Sequence, residues 1–448
     1  MIHKKLFILI LLCSSYLVAQ EGSQSFSLQQ AIDFALENNR TAKNAMRDVA
    51  AAEKQKWETI STGLPQINAS VDYQNFLKQQ VSLIPAEFFG GNPGEFAEVI
   101  FGTKQSVAGF ATLSQKIFDG SYIVGLQSVK VFLEITKNAK VKTDLEVRKA
   151  VINAYGNVLI AEQSTTILES NKSILEKNLF EITKMFENGM EEEESVEQIQ
   201  ISLSSIKSDL NKVIRLKKIA YQMLNITMGQ DINTDIVLTE NLENLTLQNM
   251  SLDLLESETD IENNIDYLIA QNDKKSKELL LKLEKSKALP TLDAFVNGGY
   301  SAFSDDFTFT NNDQKWFGSS LFGVNMTIPI FSSLGRTAST QRAEINLSKA
   351  EDDLIETEQK LQLEIDAAKS EYQFTIEDYT NKKQNLQLAE RIEIKNETKF
   401  FEGIASSFEL RQAQIQLYTA QQEYLQAMLD VINKKAELET LLNSINNY

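Results

Sequence analysis

Two proline-free stretches, residues 94–289 and 330–448, carry apolar residues at the spacing of an α-helix. Proline is excluded from helix interiors because it lacks an N–H group and clashes with the preceding turn. We therefore predict long helices, over about 121–188 and 190–228 in the first stretch and over about 336–402 and 404–442 in the second. A helix of about 67 residues is roughly 100 Å long. Such a helix needs lateral partners along its length, as in a coiled coil.

Four other segments alternate apolar and polar residues, which is the pattern of a β-strand with one apolar and one polar face. They are Gln66–Gln74, Val107–Leu113, Leu292–Tyr300 and Phe322–Ile330. Their lengths approach the roughly ten residues that a tilted transmembrane strand needs. Long loops, Phe76–Gln105 and Ser301–Ser320, join the strands in pairs. The alternative is two soluble hairpins, each with one face on a helical core.

Four strands are too few to enclose a water-filled pore. In lipid, the unpaired N–H and C=O groups at the edges of an open sheet are forbidden because no water can satisfy them. If these strands span a membrane, several copies of the chain must therefore combine their strands. Three copies give twelve strands, with the polar faces lining the pore.

The front part of the chain recurs in its second half. Asn38 precedes Pro65 by 27 residues, and Asn263 precedes Pro290 by the same 27. Further along, Gly189 lies 71 residues after Phe118, and Gly403 lies 72 residues after Phe331. These landmarks follow one another in the same order, so the spacing indicates an internal tandem repeat.

The rarest residues narrow the chemistry. The only histidine and the only cysteine, His3 and Cys13, lie in a start typical of a secretory signal peptide, with Lys4 and Lys5 before an apolar run. We predict cleavage after residue 19; a short anchor helix and lipidation of Cys13 are the alternatives. Cleavage would leave no disulfide, no Cys/His zinc site and no histidine-based triad. We therefore expect neither an enzyme nor a cofactor.

The net charge of −18 argues against nucleic acid as a partner. No second apolar run is long enough for a transmembrane helix, so hydropathy alone would favour a soluble exported protein. The alternating strands outweigh that interpretation.

Several segments occur in the same order in both halves of the chain, and together they resemble the TolC-type outer membrane efflux proteins, or outer membrane factors. The front motif is Ala35–Asn39 followed by Leu64–Ala69. A helix break with glutamines after it follows in each repeat, with Phe186, Gly189, Gln198 and Gln200 in the first and Phe400, Gly403, Gln412, Gln414 and Leu417 in the second. The resemblance covers the chain from about Phe26 to Leu442.

The fold that this resemblance implies is an α+β membrane protein. It is a homotrimeric twelve-stranded transmembrane β-barrel, with four strands per chain, continued by a long α-helical coiled-coil barrel in the periplasm. The implied partners are outer membrane lipid, a periplasmic adaptor protein and an inner-membrane RND or ABC transporter. The implied function is the passive outer membrane channel of a tripartite efflux or type I secretion system. The competing hypothesis is a soluble periplasmic coiled-coil scaffold or adaptor-like protein.

The resemblance also divides the chain. We expect a signal peptide over 1–19, a first repeat over 20–228, an equatorial connector over 229–257 and a second repeat over 258–448. The strand-loop-strand segments then occupy 64–119 and 289–332. Each repeat ends in a long helix, a turn and a return helix.

The same resemblance implies particular site residues. Gly189 and Gly403 would mark the turns at the periplasmic tips, where the adaptor docks. The gate carboxylate falls on Glu409, with Gln412 one turn later, where the family often has an acidic residue. An acidic run, Glu191, Glu192, Glu193 and Glu194, follows the first turn. The alternative for Glu409 is an ordinary solvated helix residue, and for the run a solvated turn.

Overall fold

The computed structural model describes residues 24–256 and 260–443. The predicted signal segment 1–19, with His3 and Cys13, lies outside the described residues. The helices are α1 Leu28–Asn38, α2 Arg40–Ser61, α3 Gly120–Glu187, α4 Glu193–Met228, α5 Leu242–Gln248, α6 Asp253–Glu256, α7 Ile265–Ser286, α8 Gly335–Phe401 and α9 Ser407–Leu441. The strands are β1 Gln24–Phe26, β2 Gln66–Asn75, β3 Val81–Pro85, β4 Phe96–Ile100, β5 Gln105–Phe118, β6 Ile236–Leu238, β7 Thr291–Ser304 and β8 Trp316–Thr327.

The chain forms two compact units. One, the helical unit, comprises the described residues 24–49, 136–256, 260–270 and 354–443. The other, the sheet unit, comprises residues 50–135 and 271–353. Within the described ranges, no helix combines the length and the apolar run that would let it cross a membrane.

The sheet unit contains one four-stranded antiparallel sheet in the order β2-β5-β7-β8. The last strand differs from the predicted Phe322–Ile330, since it begins at Trp316 and ends at Thr327. Pro329 explains the early end, because proline has no N–H group for a strand ladder. Ser333 and Leu334 follow with positive φ values of 50° and 63°.

The segment Phe76–Gln105, predicted as a loop, contains a second sheet, and the prediction was wrong there. Strands β3 and β4 pair antiparallel, with Val81 opposite Ile100. A short 3₁₀ turn, Ala86–Phe89, and Gly90 at a φ of 81° connect them. The β-forming residues on both sides of the Gly-Asn-Pro-Gly turn signal favour this hairpin.

The helical unit is built around an apolar core where the connector meets the long helices. Leu28, Tyr155, Leu224, Leu245 and Ile432 are at most 1% exposed in this core. The connector contains β6, α5 and α6, and β6 pairs in parallel with β1. The packing therefore joins the start of the chain, the connector and the ends of both return helices.

The duplicated asparagines have the same role in both repeats. Asn39 Oδ1 accepts the N–H of Thr41 at 2.7 Å and so caps helix α2, while its amide donates to the Thr227 carbonyl at 2.7 Å. Asn264 Oδ1 accepts the N–H of Asp266 at 2.8 Å, while its amide donates to the Leu441 carbonyl at 2.6 Å. Each asparagine thus starts one helix and satisfies a carbonyl at the end of the return helix of its own repeat.

Candidate functional site: an amphipathic sheet and two helix turns

The register of the four-stranded sheet brings most of the apolar residues of the four strands to one face. Residues opposite each other on paired strands point to the same side of a sheet, so each pairing extends a row across it. The apolar rows are Ile67-Leu113-Val296-Phe322, Ala69-Ala111-Gly298-Ser320, Val71-Gly109-Tyr300-Gly318 and Tyr73-Val107-Ala302-Trp316. The alternation seen separately in each strand therefore becomes one continuous apolar surface.

The opposite face is mainly polar. Its rows are Gln66-Ser114-Phe295-Gly323, Asn68-Thr112-Asn297-Leu321, Ser70-Phe110-Gly299-Ser319 and Asp72-Ala108-Ser301-Phe317. The Asn297 amide donates to Thr112 Oγ1 at 2.6 Å within one row. The sheet is thus amphipathic across its whole width.

The apolar face is exposed in the single chain. The exposed fractions are 71% for Ile67, 78% for Val71, 48% for Val296 and 69% for Phe322. Contiguous apolar surface of this kind marks contact with a membrane or another protein. Among the described residues, the outer strands β2 and β8 each have a partner on one side only, so both edges of the sheet are open there.

Aromatic rings gather where the loop after β7 meets the end of β2. Phe307 and Phe309 pack edge-on against each other at 5.6 Å and against Tyr73 at 6.0 and 6.1 Å. The Tyr73 hydroxyl donates to Gln105 Oε1 at 3.0 Å. Rings with one polar tip suit a boundary between apolar and aqueous surroundings.

The two glycines singled out in the sequence end helices α3 and α8 in the same conformation. Gly189 has a φ of 72° and Gly403 a φ of 73°. In each case the glycine N–H and the next N–H bond back to carbonyls of the last helical turn, Phe400 and Lys399 in the second repeat, at 2.9 and 2.8 Å. This is a Schellman motif, which requires the left-handed conformation that glycine adopts without strain. The chain reverses over residues 188–192 and 402–406.

The acidic run lies at the start of α4. Glu193 and Glu194 stand in the first turn, where the partial positive charge of the helix N-terminus favours carboxylates. Glu191 accepts the Ser195 hydroxyl at 2.9 Å, and Glu194 accepts the Gln198 amide at 2.9 Å. Glu192 is the N-cap residue and makes no side-chain capping bond. The run therefore stabilises the helix start, and its part in docking stays a prediction.

Glu409 is exposed and forms a capping box with Ser406. The Ser406 backbone N–H donates to Glu409 Oε2 at 2.8 Å, and the Glu409 N–H donates to the Ser406 hydroxyl at 3.3 Å. The Ser406 bonds hold the pKa of Glu409 below its ordinary value. The S-x-x-E spacing is visible in the sequence and could have identified this role. Gln412 lies exposed on the next turn.

A buried polar cluster near these turns was missed from the sequence. Glu393 on α8 is 8% exposed and Gln414 on α9 only 1%. The Asn178 amide of α3 donates to Glu397 Oε1 at 3.2 Å, which ties the two repeats together. Burial, with Glu397 nearby, raises the pKa of Glu393, and burial also raises the pKa of Tyr418. No period or motif distinguishes a buried glutamate on a long charged helix from a solvated one.

A groove of about 800 Å³ runs between α3, α4 and α9. Its apolar lining includes Ile201, Leu216, Met223 and Ile415, which are 47% to 64% exposed. Exposed apolar side chains in this number are unusual on solvated helices, so this surface is suited to packing against another helix.

Comparison with known proteins gives a family match over part of the chain and structural matches over most of it. Residues 261–444 match the family model described as outer membrane efflux protein. No curated protein matches the chain.

Solved structures share the fold. A structure of CusC, which undergoes conformational changes accompanying folding and transmembrane channel formation, has a TM-score of 0.74 at 19% identity, covering 93% of this chain and 91% of that chain. VceC from Vibrio cholerae has a TM-score of 0.70 at 15% identity, covering 93% and 95%. The CmeC outer membrane channel of Campylobacter jejuni has a TM-score of 0.71 at 18% identity, covering 93% and 85%. The resemblance stated from the sequence is thereby confirmed, and so is the predicted α+β fold of a sheet continued by long helices. The homotrimer and the closed twelve-stranded barrel stay predictions.

Proposed function

We propose, from the match to outer membrane efflux proteins and the fold shared with outer membrane channels, that this protein is the outer membrane duct of a tripartite efflux or type I secretion system. It conducts passively what an inner-membrane RND or ABC transporter delivers through a periplasmic adaptor. The single observation that carries the proposal is the register that assembles one apolar face across β2, β5, β7 and β8.

Lipid is the environment that suits the apolar face of the sheet. Rows led by Ile67 and Val71 expose their side chains and contain no charged residue. Placed against outer membrane hydrocarbon, these rows lose contact with water, while the opposite face keeps its amides and hydroxyls hydrated. The aromatic group around Tyr73 then lies at one membrane boundary.

The open edges call for further copies. In hydrocarbon, the unpaired backbone groups of β2 and β8 would each cost several kcal/mol. Pairing β2 of one copy with β8 of the next removes every edge once the ring closes. A homotrimer gives twelve strands around a water-filled pore, and neighbouring copies also cover the groove between α3, α4 and α9.

The helix turns at Gly189 and Gly403 are proposed as the periplasmic tips that contact the adaptor. In a trimer, threefold symmetry repeats each turn around one axis, so Glu409 recurs three times at the narrow mouth. With carboxylates in a wet pore, such a ring selects cations rather than holding the subunits apart. Single-channel recording on Glu409→Gln checks it: reduced cation selectivity is expected, and unchanged selectivity places the filter elsewhere.

Disulfide cross-linking tests the assembled duct, since Cys13 is the only native cysteine. Ser70 on β2 and Ser319 on β8 share one row but are separated by two strands within a chain. Because barrel closure staggers the register between copies, Ser70→Cys is combined in turn with cysteines at positions 317, 319, 321 and 323 on the same face of β8. The double cysteine variant whose positions the stagger brings together should give a ladder of linked dimers and trimers in outer membrane fractions. Each single variant is the control and should give no ladder.

A soluble periplasmic scaffold is the second candidate, since it shares the long helices. It predicts extraction without detergent and no ladder in any double cysteine variant. Either result, with no ion conductance in planar bilayers, would refute the duct.

A further inference from the structure

Four phenylalanines lie on the polar face of the sheet, Phe110, Phe295, Phe303 and Phe317, and the first two lie over glycines. Phe110 on β5 is opposite Gly299 on β7, and Phe295 on β7 is opposite Gly323 on β8. A Cβ atom at 299 would come within 2.1 Å of the Gly109 carbonyl oxygen and 2.6 Å of Phe110 Cδ1, and one at 323 within 2.6 Å of Phe295 Cζ. The rings therefore occupy the space that side chains on the next strand would need.

This pairing lays each ring along the sheet. A phenylalanine beside a larger residue would stand away from the surface, whereas a glycine leaves room for the ring to lean over the backbone. Both residues are half-buried, so part of each stays accessible. Their row neighbours are polar, including Ser70 and Ser319, so no apolar core explains two phenylalanines here.

Carboxylates stand next to both rings on the same face. Asp72 on β2 is opposite Ala108, two residues from Phe110 along β5. Asp293 lies two residues before Phe295 on β7. Diagonal and next-but-one neighbours on one face are about 7 Å apart.

Neither aspartate joins an ion pair among the described residues. Lys116 is opposite Asp293 in the register, but its ammonium group pairs with Asp119 at 3.0 Å. Both carboxylates are therefore available to a positive charge brought by a ligand.

We propose that Phe110 with Asp72 and Phe295 with Asp293 form two contact stations for planar organic cations on the polar face of the sheet. An aromatic cation stacks on the ring face, gains cation–π attraction and has its charge balanced by the aspartate. In the proposed trimer, on which the location in a pore rests, the stations line the bore six times. The wall then interacts with cargo of this class instead of being inert.

Ethidium, a planar organic cation, is the probe. Its binding to the purified full-length protein in detergent is measured by fluorescence, and its block of single-channel current is measured in planar bilayers. Phe110→Leu and Phe295→Leu keep apolar bulk but remove the ring, and each should weaken binding and block about 2- to 5-fold. Asp72→Asn and Asp293→Asn should weaken them in the same direction. Phe322→Leu, on the apolar face of β8, is the matched control and should leave ethidium binding unchanged.

The readouts separate this inference from the proposed function. Unblocked conductance reports the duct itself, and variants are compared only where it equals that of the parent. Normal conductance with undiminished ethidium binding in both leucine variants overturns the stations, as does an equal loss in Phe322→Leu. Absence of any conductance refutes the duct, and the fluorescence titration in detergent still decides whether the stations bind.

Discussion

A lysine at Val296 measures directly which face of the sheet meets lipid. Val296 is the sixth of the 14 residues of β7, near the middle of the strand, and its row partners are Leu113 and Phe322. A lysine on the lipid face near the bilayer midplane costs about 2 to 4 kcal/mol. That cost corresponds to a roughly 30- to 1000-fold smaller equilibrium constant for insertion.

The assay refolds the urea-denatured chain into lipid vesicles and follows the inserted fraction against urea concentration. Val296→Lys should shift the transition to lower urea by that free energy divided by the m-value. Asn68→Lys is the matched control, because Asn68 lies one row away at nearly the same depth but on the polar face. Its ammonium group would remain in the water-filled pore, so we expect a change below about 1 kcal/mol.

Val296→Met adds a second control, since it changes the shape of the side chain without adding charge. Equal losses for lysine at positions 296 and 68 would refute the assignment of faces. A larger loss at Asn68 would reverse it.

Further predictions concern the helical unit. Gly403→Val should leave the trimer assembled but abolish efflux and adaptor cross-linking, because valine in a left-handed conformation costs about 1 to 3 kcal/mol and displaces the turn. Gly403→Asn is the control and should retain both activities. Retained efflux in the valine variant would contradict the placement of the turn at the periplasmic tip. Asn264→Ala should lower the free energy of unfolding by about 2 kcal/mol, because it loses both the helix cap and the bond to the Leu441 carbonyl, whereas Asn264→Asp keeps the cap and should lose about half of that. Thermal unfolding in detergent measures both losses. Equal losses in the two variants would contradict the separate contributions of the cap and the bond. Since the pKa of Glu393 is raised in the folded chain, stability should fall as pH rises from about 4.5 through that raised pKa. Glu393→Gln should remove this fall, so parallel pH profiles of the unfolding temperature would count against it.

Local chemistry explains why so much could be predicted from the sequence. Alternation along a strand and exclusion of proline from a helix depend only on residues close together in the sequence. The long helices and the four strands were therefore visible as sequence patterns. The repeated spacing from Asn38 to Pro65 and from Asn263 to Pro290 indicated the duplication. The glycines at 189 and 403 stood alone in long helical segments, which predicted the turns.

The features that tertiary structure decided depend on partners far apart in sequence. Asn264 meets Leu441 across 177 residues, and the Thr112–Asn297 bond spans 185. The burial of Glu393 depends on how α8 packs in the helical unit, which its own charged helix does not encode. The pairing of Phe110 with Gly299 likewise follows from the register between β5 and β7. The sequence alone determined which residues are apolar along each strand and where helices turn, because those depend on neighbouring residues. Only the tertiary structure decided which rows align, which carboxylates are buried and which rings rest on glycine, because those depend on contacts between distant segments.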